Sequence, residues 1–128
     1  MKFTIRQDGT PIYQQIIRQV KFGLASGKLK PGDELPAIRK LADILLINPN
    51  TIARAYKELE ITGIVETRQG GGTRIAMGAP IFSRKSMNLS LEKNIDTLIV
   101  EADQMGLELE DLIQILRQRF SAIKGDKQ

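Results

Sequence analysis

The sequence predicts a mainly α-helical protein of the α+β class, with a β-hairpin after its third helix and a short helical tail. Three observations support this prediction. Apolar residues recur at helical spacing in five segments. A glycine-rich run lies between two short β-prone runs around residue 70, and residues 78–90 contain the Pro and Ser residues typical of a linker. The length of 128 residues is sufficient for one small domain with an appendage.

The first predicted helix follows Thr10 and Pro11, a capping hydroxyl and a proline suited to the first helical position. Gly27 ends this helix, and the Pro31-Gly32 pair predicts a turn after it. Upstream, residues 3–5 are interpreted as a short additional strand. The apolar face of the helix repeats every fourth residue, at Ile12, Ile16, Val20 and Leu24.

Two further helices are predicted before the hairpin. The second covers residues 37–46 and is short. The third has a sharp start, because Asn48 can cap it and Pro49 suits its first position, and Gly63 can end it in a left-handed conformation. The buried positions predicted for these two helices are Ile38, Leu41, Ala42, Leu45, Ile52, Ala55, Tyr56 and Leu59.

The hairpin is predicted from a strand over residues 64–67, a glycine-rich turn over residues 68–72 and a returning strand over residues 73–77. Two short helices joined by a tight turn and followed by a hairpin are typical of a winged helix-turn-helix domain. We therefore assign residues 1–77 to such a domain, whose usual ligand is DNA.

The tail is predicted as a linker over residues 78–90 followed by two amphipathic helices over residues 91–125. An appendage of this size cannot bury two apolar stripes by itself, and a second copy of the chain is the simplest partner. The tail is therefore interpreted as a dimerisation segment. Its predicted contact residues are Ile95, Leu98, Ile99, Ala102, Leu112, Ile113, Leu116 and Phe120.

Charge is distributed unevenly along the chain. The net charge is +4, but residues 1–76 hold 12 Lys and Arg against 7 Asp and Glu, whereas residues 77–128 hold 7 against 8. A basic excess confined to the first part favours an acidic partner such as nucleic acid for that part.

Composition argues against catalysis. The sequence contains no Cys and no His, which excludes thiol nucleophiles, histidine bases and Cys/His zinc sites. Most acidic residues of the tail alternate with apolar positions and are expected to face solvent. We expect no enzyme activity, no cofactor and no metal. No run approaches the roughly 20 apolar residues of a membrane span, and no signal sequence is evident, so a cytoplasmic, nucleoid-associated protein is expected.

The start of the third helix carries the sharpest functional signal. A recognition helix needs small and hydrogen-bonding residues where it enters the major groove, and Asn50, Thr51 and Arg54 lie there. Asn can bond an adenine edge with two hydrogen bonds, and Arg can bond a guanine edge or a phosphate. The alternative is that Asn48 is only a cap and Arg54 only a solvated charge.

Two other segments supply candidate contacts. Arg39 and Lys40 lie near the start of the second helix, which crosses the DNA backbone in a helix-turn-helix. Alternatively, they are surface charges, or Arg39 pairs with a nearby carboxylate. At the hairpin tip, Arg68, Gln69 and Gly70 can approach a minor groove or the phosphates, although any hairpin can carry such a turn. Tyr13 and Tyr56 are interpreted as core packing.

Taken together, four segments resemble the GntR family of bacterial transcription regulators, and they keep the family's spacing from about residue 10 to residue 76. The segments read PIYQQI at residues 11–16, LKPGDELPAIRKLA at 29–42, NPNTIARAYKEL at 48–59 and GGGT at 70–73. The short two-helix tail resembles the YtrA-like subfamily, whose members lack a large effector-binding domain.

The resemblance implies DNA contacts from Arg39, Asn50, Thr51, Gln69 and Gly70, and homodimerisation through the tail. The chain departs from the usual sequence of the GntR family at two places. Many family members have Ser-Arg where this chain has Pro49-Asn50, so we expect a different operator sequence. Many also have Ser where Ala37 stands, which removes a helix cap or a phosphate-binding hydroxyl.

The sequence thus predicts a homodimeric, sequence-specific transcription regulator, interpreted as a repressor that binds an inverted-repeat operator in double-stranded DNA. The alternative is a winged-helix protein–protein adaptor without sequence-specific DNA binding. The basic first part and the polar start of the third helix argue against an adaptor. The sequence does not reveal a small-molecule effector, and no membrane partner is expected.

Overall fold

The computed structural model describes residues 2–125, and these divide into two compact units with the boundary between Met87 and Asn88. The elements follow the order of three helices, a hairpin and two helices. Their bounds are α1 Ile12–Ser26, α2 Ile38–Leu45, α3 Pro49–Ile61, β1 Val65–Arg68, β2 Gly72–Ile75, α4 Arg84–Gln104 and α5 Leu109–Lys124.

The first unit is built around α3, which packs against α1, α2 and β1. Its apolar face is anchored by Ile52 and Leu59, both fully buried. The remaining fully buried large side chains come from α1, α2 and the hairpin, so one core joins all these elements. They are Ile16, Val20, Leu41, Ile64 and Ile75.

The turn between α2 and α3 is tight and well defined. Leu46 follows α2 in a left-handed conformation, with φ of 56°, and its N–H bonds to Ala42. Asn48 then caps α3, because its side-chain oxygen accepts a hydrogen bond of 2.8 Å from the N–H of Asn50, and Pro49 occupies the first helical position as predicted. This geometry fixes the direction in which α3 starts.

The hairpin pairs β1 with β2 in antiparallel register, from Val65 opposite Ile75 to Arg68 opposite Gly72. Residues 32–35 add hydrogen bonds to β2. The N–H of Leu35 donates to Thr73 at 2.9 Å, and the N–H of Ile75 donates to Asp33 at 2.8 Å. The hairpin is therefore supported both by α3 and by the segment that leads into α2.

The strand predicted for residues 3–5 is wrong. Phe3 is buried, but the backbone groups of its neighbours bond to glutamine side chains of α1 instead of to another strand. The amide of Gln19 bonds both backbone groups of Thr4 at 2.9 and 2.7 Å, and the amide of Gln15 bonds both backbone groups of Arg6 at 2.8 and 2.9 Å. Two side chains thus replace the ladder of a β-strand.

The linker predicted for residues 78–90 is wrong in its second half, because residues 84–90 form the first turns of α4. The physical reason is Ser83, whose hydroxyl accepts a hydrogen bond of 3.1 Å from the N–H of Ser86 and so caps the helix. Earlier in the same stretch, Phe82 packs against the core of the first unit, whereas Ile81 is 97% exposed.

The second unit contains most of α4 together with α5, and these two helices make few contacts with each other in the described residues. A capping box starts α5, in which Glu108 and Asp111 each accept a hydrogen bond from the backbone of the other. No residue of α5 is buried. Most of the apolar side chains of this unit therefore remain exposed in a single chain.

Candidate nucleic-acid interface

The first turn of α3 presents polar side chains to solvent. Asn50 is exposed and Thr51 is half-buried, while the opposite face of the helix lies in the core. Since the Asn48 cap uses the backbone N–H of Asn50, the Asn50 side chain remains available to a ligand. The backbone N–H groups of this turn are not free, since Pro49 has none and those of Asn50 and Thr51 donate to Asn48, so the side chains are what this helix start offers a ligand. The structure thus keeps the arrangement predicted for a recognition helix.

Arg54 lies one turn further along α3, and its guanidinium carbon is 3.7 Å from the centre of the Tyr13 ring. This distance is typical of a cation placed on an aromatic face. Tyr13 packs against the core of the first unit, as predicted, but its side chain is only half-buried and also contacts the predicted DNA-binding arginine. An open concavity at this position is lined by Pro11, Ile12, Tyr13, Asn50, Thr51 and Arg54.

The candidate phosphate contacts on α2 are exposed. Arg39 and Lys40 both extend from its first turn into solvent. Within residues 2–125, neither forms an ion pair, so no carboxylate of that range pairs with Arg39. Ala37 occupies the N-cap position without a side-chain hydrogen bond, as expected from the absence of a hydroxyl there.

Tyr56 connects α3 to the start of α2. Its ring is buried, as predicted, and its hydroxyl donates a hydrogen bond of 2.7 Å to the carbonyl of Pro36. Burial raises the pKa of the Tyr56 hydroxyl well above its usual range, so this group stays protonated and remains a donor. Sequence reasoning missed this bond, although a buried tyrosine hydroxyl generally needs an acceptor.

The hairpin tip is exposed and carries the predicted wing residues Arg68, Gln69 and Gly70. Gly70 has φ of 75°, a backbone conformation that favours glycine. Below the tip, Arg74 and Glu66 face each other across the strands, and the Arg74 Nε is 2.6 Å from the Glu66 Oε1. This cross-strand pair lies at the base of the wing and stabilises its register.

The predicted contact residues of the tail are exposed with three exceptions. Ile95, Leu98, Ile99, Leu116 and Phe120 are between 42% and 60% exposed. Leu112 and Ile113 are half-buried, and Ala102 is 6% exposed. Ala102 is therefore already covered within its own chain and offers little surface to a partner.

Other kinds of site are not apparent in the described part of the chain. Over residues 2–125, no group of three or more acidic, histidine or cysteine side chains lies close enough to hold a metal ion. No helix in that range is both long and apolar enough to cross a membrane.

Comparison with known proteins agrees with this geometry. Residues 12–75 match a family described as bacterial regulatory proteins, gntR family. The HTH-type transcriptional repressor YtrA of Bacillus subtilis (strain 168) is 41% identical over 121 residues, which cover 94% of this chain and 93% of that protein. The chain belongs to the GntR family.

Solved structures resemble this GntR-family chain over nearly its whole length or over part of it. The crystal structure of a transcriptional antiterminator from Listeria monocytogenes EGD-e has a TM-score of 0.59 at 28% identity, over 98% of this chain and 94% of that chain. The DNA-binding domain of AraR in complex with operator ORX1 has a TM-score of 0.50 at 25% identity, over 59% and 92% respectively.

The predicted mainly α-helical winged helix-turn-helix fold is therefore confirmed, and the GntR-family chain is a DNA-binding transcription regulator. The matched proteins are named as transcription regulators, which agrees with the expectation that this chain is not an enzyme.

Proposed function

We propose that this GntR-family regulator is a homodimeric repressor whose α3 helices read the two halves of an inverted-repeat operator. The observation that carries the proposal is the first two turns of α3, which expose Asn50 and Arg54 while the other face of the helix is fixed in the core. A rigid helix with polar donors at its start is the arrangement that enters a major groove roughly 12 Å wide.

The remaining contacts are assigned by position in the winged helix-turn-helix. Arg39 and Lys40 on α2 bind phosphates, since this helix crosses the DNA backbone. The wing residues Arg68, Gln69 and Gly70 bind beside the major groove, where the glycine allows a close backbone approach. The unpaired side chains of Arg39 and Lys40 support this assignment, because no carboxylate of residues 2–125 competes for them.

Dimerisation is assigned to the tail. Its two helices expose apolar side chains such as Leu98, Leu116 and Phe120, and they make few contacts with each other in the described residues. Exposed apolar surface of this kind usually marks a protein interface, and twofold homodimers are the commonest assemblies. The repressor role follows the name of the Bacillus subtilis relative.

The proposal predicts the symmetry of the binding site. The full chain should protect an inverted repeat in the region upstream of its own gene, with half-sites one or two helical turns apart, about 34–36 Å per turn. Footprinting of that region at saturating protein measures the symmetry directly, and transcription from the same fragment in vitro should fall as the site fills.

A scrambled fragment of equal length and composition serves as the control, because non-specific binding to it reports phosphate attraction alone. Protection of one asymmetric half-site at saturation contradicts the dimeric part of the proposal. Equal affinity for both fragments contradicts sequence-specific binding and favours the protein–protein adaptor.

A further inference from the structure

The contact between Arg54 and Tyr13 joins two helices at the proposed DNA surface. The guanidinium carbon of Arg54, on α3, is 3.7 Å from the centre of the ring of Tyr13, on α1. Both side chains line the concavity that also includes Asn50 and Thr51. Arg54 is exposed, and no ion pair or side-chain hydrogen bond holds it in the described residues. The ring is therefore the contact that defines where its guanidinium lies.

The position of the ring is itself well determined. Tyr13 lies on the first turn of α1, and it is half-buried at the junction where α1 packs against α3. Ile16, one turn further on, is fully buried in the core, so the backbone below Tyr13 cannot shift freely. The neighbouring side chain of Gln14 donates a hydrogen bond of 3.2 Å to the tyrosine hydroxyl.

A guanidinium on an aromatic face keeps its N–H donors at its edge, where they remain free to bind a guanine edge or a phosphate. Arginine otherwise has one of the largest side-chain entropies, and binding to DNA must order it. An arginine that is already held on a ring loses less freedom on binding. Its affinity for the operator is correspondingly higher.

From this geometry we infer that Tyr13 is a positioning residue for operator recognition, which holds Arg54 in its DNA-binding orientation before the DNA arrives. The inference rests on the proposed role of Arg54 in the operator interface. It makes the first turn of α1 a functional part of that interface, although α1 supplies no residue to the contacts assigned above. Tyr13 acts through Arg54, so its effect disappears when Arg54 is absent.

The test is a double-mutant cycle on the full chain, in which Tyr13→Leu and Tyr13→Phe are each combined with Arg54→Ala. Operator affinity is measured on the footprinted fragment. Tyr13→Leu should weaken binding about two- to tenfold with Arg54 present, the range expected for ordering one flexible side chain. It should change nothing when Arg54 is replaced. Tyr13→Phe retains the ring and should stay within about twofold of the unchanged protein.

Side-chain NMR of the free protein provides a readout that needs no DNA. The Arg54 side-chain protons should be shifted upfield by the Tyr13 ring, retain this shift in Tyr13→Phe and lose it in Tyr13→Leu. Thermal unfolding of each variant separates a loss of fold from a loss of position. An upfield shift together with a non-additive cycle supports the inference.

Three outcomes overturn it. An Arg54 spectrum without ring shift shows that the contact does not persist in solution. Equal losses from Tyr13→Leu in both backgrounds show that Tyr13 acts independently of Arg54. An Arg54→Ala variant with full operator affinity leaves Tyr13 with nothing to position. Failure of the proposed function gives a different result, since the unchanged protein itself then shows no preference for the operator.

Discussion

At the scale of single residues, the proposed interface separates side chains that read bases from those that bind phosphates. Asn50 and Arg39 are both exposed, yet they lie on different helices of the helix-turn-helix. A side chain on α3 can reach base edges, whereas one at the start of α2 faces the backbone of the duplex. Their replacement should therefore have different consequences for specificity.

We predict that Asn50→Ala weakens binding to the operator by roughly 1–3 kcal/mol and leaves binding to random DNA almost unchanged, because two hydrogen bonds to one base are lost. Arg39→Ala should weaken both complexes alike and reduce the slope of log affinity against log salt by about one unit, because one phosphate contact is lost. Titrations on both fragments at several salt concentrations measure the difference.

The Asn50→Ala variant is also expected to keep its fold, since the cap of α3 uses the side chain of Asn48 and only the backbone of Asn50. Circular dichroism checks this. Equal losses for Asn50→Ala on operator and random DNA remove Asn50 from the residues that read bases.

Residues differ in how much of their role the sequence reveals. The cap at Asn48 and the proline after it act locally, so the types of adjacent residues were enough to predict them. The roles of Tyr13 and Tyr56 depend on partners far along the chain, Arg54 and Pro36. A periodic apolar pattern places both tyrosines near the core, but it contains no information about which long-range partner each one contacts.

At the scale of elements, the glutamines of α1 hold the N-terminal segment, residues 2–10, against that helix. Gln15 is only 3% exposed. Its amide accepts one hydrogen bond from Arg6 and donates two, to the carbonyls of Arg6 and Thr10, all between 2.8 and 2.9 Å. This single side chain satisfies three backbone groups that have no strand partner.

We predict that Gln15→Ala lowers the free energy of unfolding by about 2 kcal/mol, because three partly buried backbone groups lose their partner at once. Gln14→Ala is the matched control. Gln14 is exposed, and its one side-chain hydrogen bond, to the Tyr13 hydroxyl, is exposed as well, so its replacement should cost no more than about 0.5 kcal/mol. Urea denaturation measures both values, and hydrogen exchange of the Arg6 amide should accelerate only in Gln15→Ala. A similar decrease in the free energy of unfolding in the two variants contradicts the stabilising role of Gln15.

The two elements that sequence analysis placed wrongly share a physical cause. In both places, side-chain hydrogen bonds to the backbone determine a local structure that the residue pattern does not predict. Gln15 and Gln19 took the hydrogen bonds of the predicted strand at residues 3–5, and Ser83 capped a helix inside the predicted linker. Glutamine and serine are common in many contexts, so neither pattern of letters distinguishes these roles.

At the scale of the whole molecule, the contrast between the two units was visible in the sequence as a difference in charge and in apolar pattern. The basic excess lies in residues 1–76, and the apolar stripes that find few partners lie in the tail. Such patterns indicate that the tail needs a partner. They do not indicate where α4 begins, because Ser83 and the residues of the first turn of α4 have a composition typical of a linker.

The last prediction assigns dimerisation to the tail by removing it. A fragment of residues 1–83 retains Ala79 and Phe82, which pack against the core, and lacks α4 and α5. It should fold as a monomer and bind a single half-site like the full chain. On the complete operator it should bind roughly 10²–10⁴ times more weakly than the full chain, because in a dimer the binding of the second DNA-binding domain is intramolecular. Sedimentation and titration on both DNA fragments measure these values.

A charge placed on the apolar stripe of α5 tests the same assignment in the full chain. Leu116 is 60% exposed, and in a dimer Leu116→Asp would bury an unpaired carboxylate in the proposed interface. Gln118→Asp introduces the same side chain at an exposed position on the polar side of that helix. The first variant should sediment as a monomer and the second as a dimer. If the fragment of residues 1–83 stays dimeric, the interface lies in the winged helix-turn-helix unit, because only that surface remains to join two copies. If Leu116→Asp keeps full operator affinity, the apolar stripe of α5 is not part of the interface.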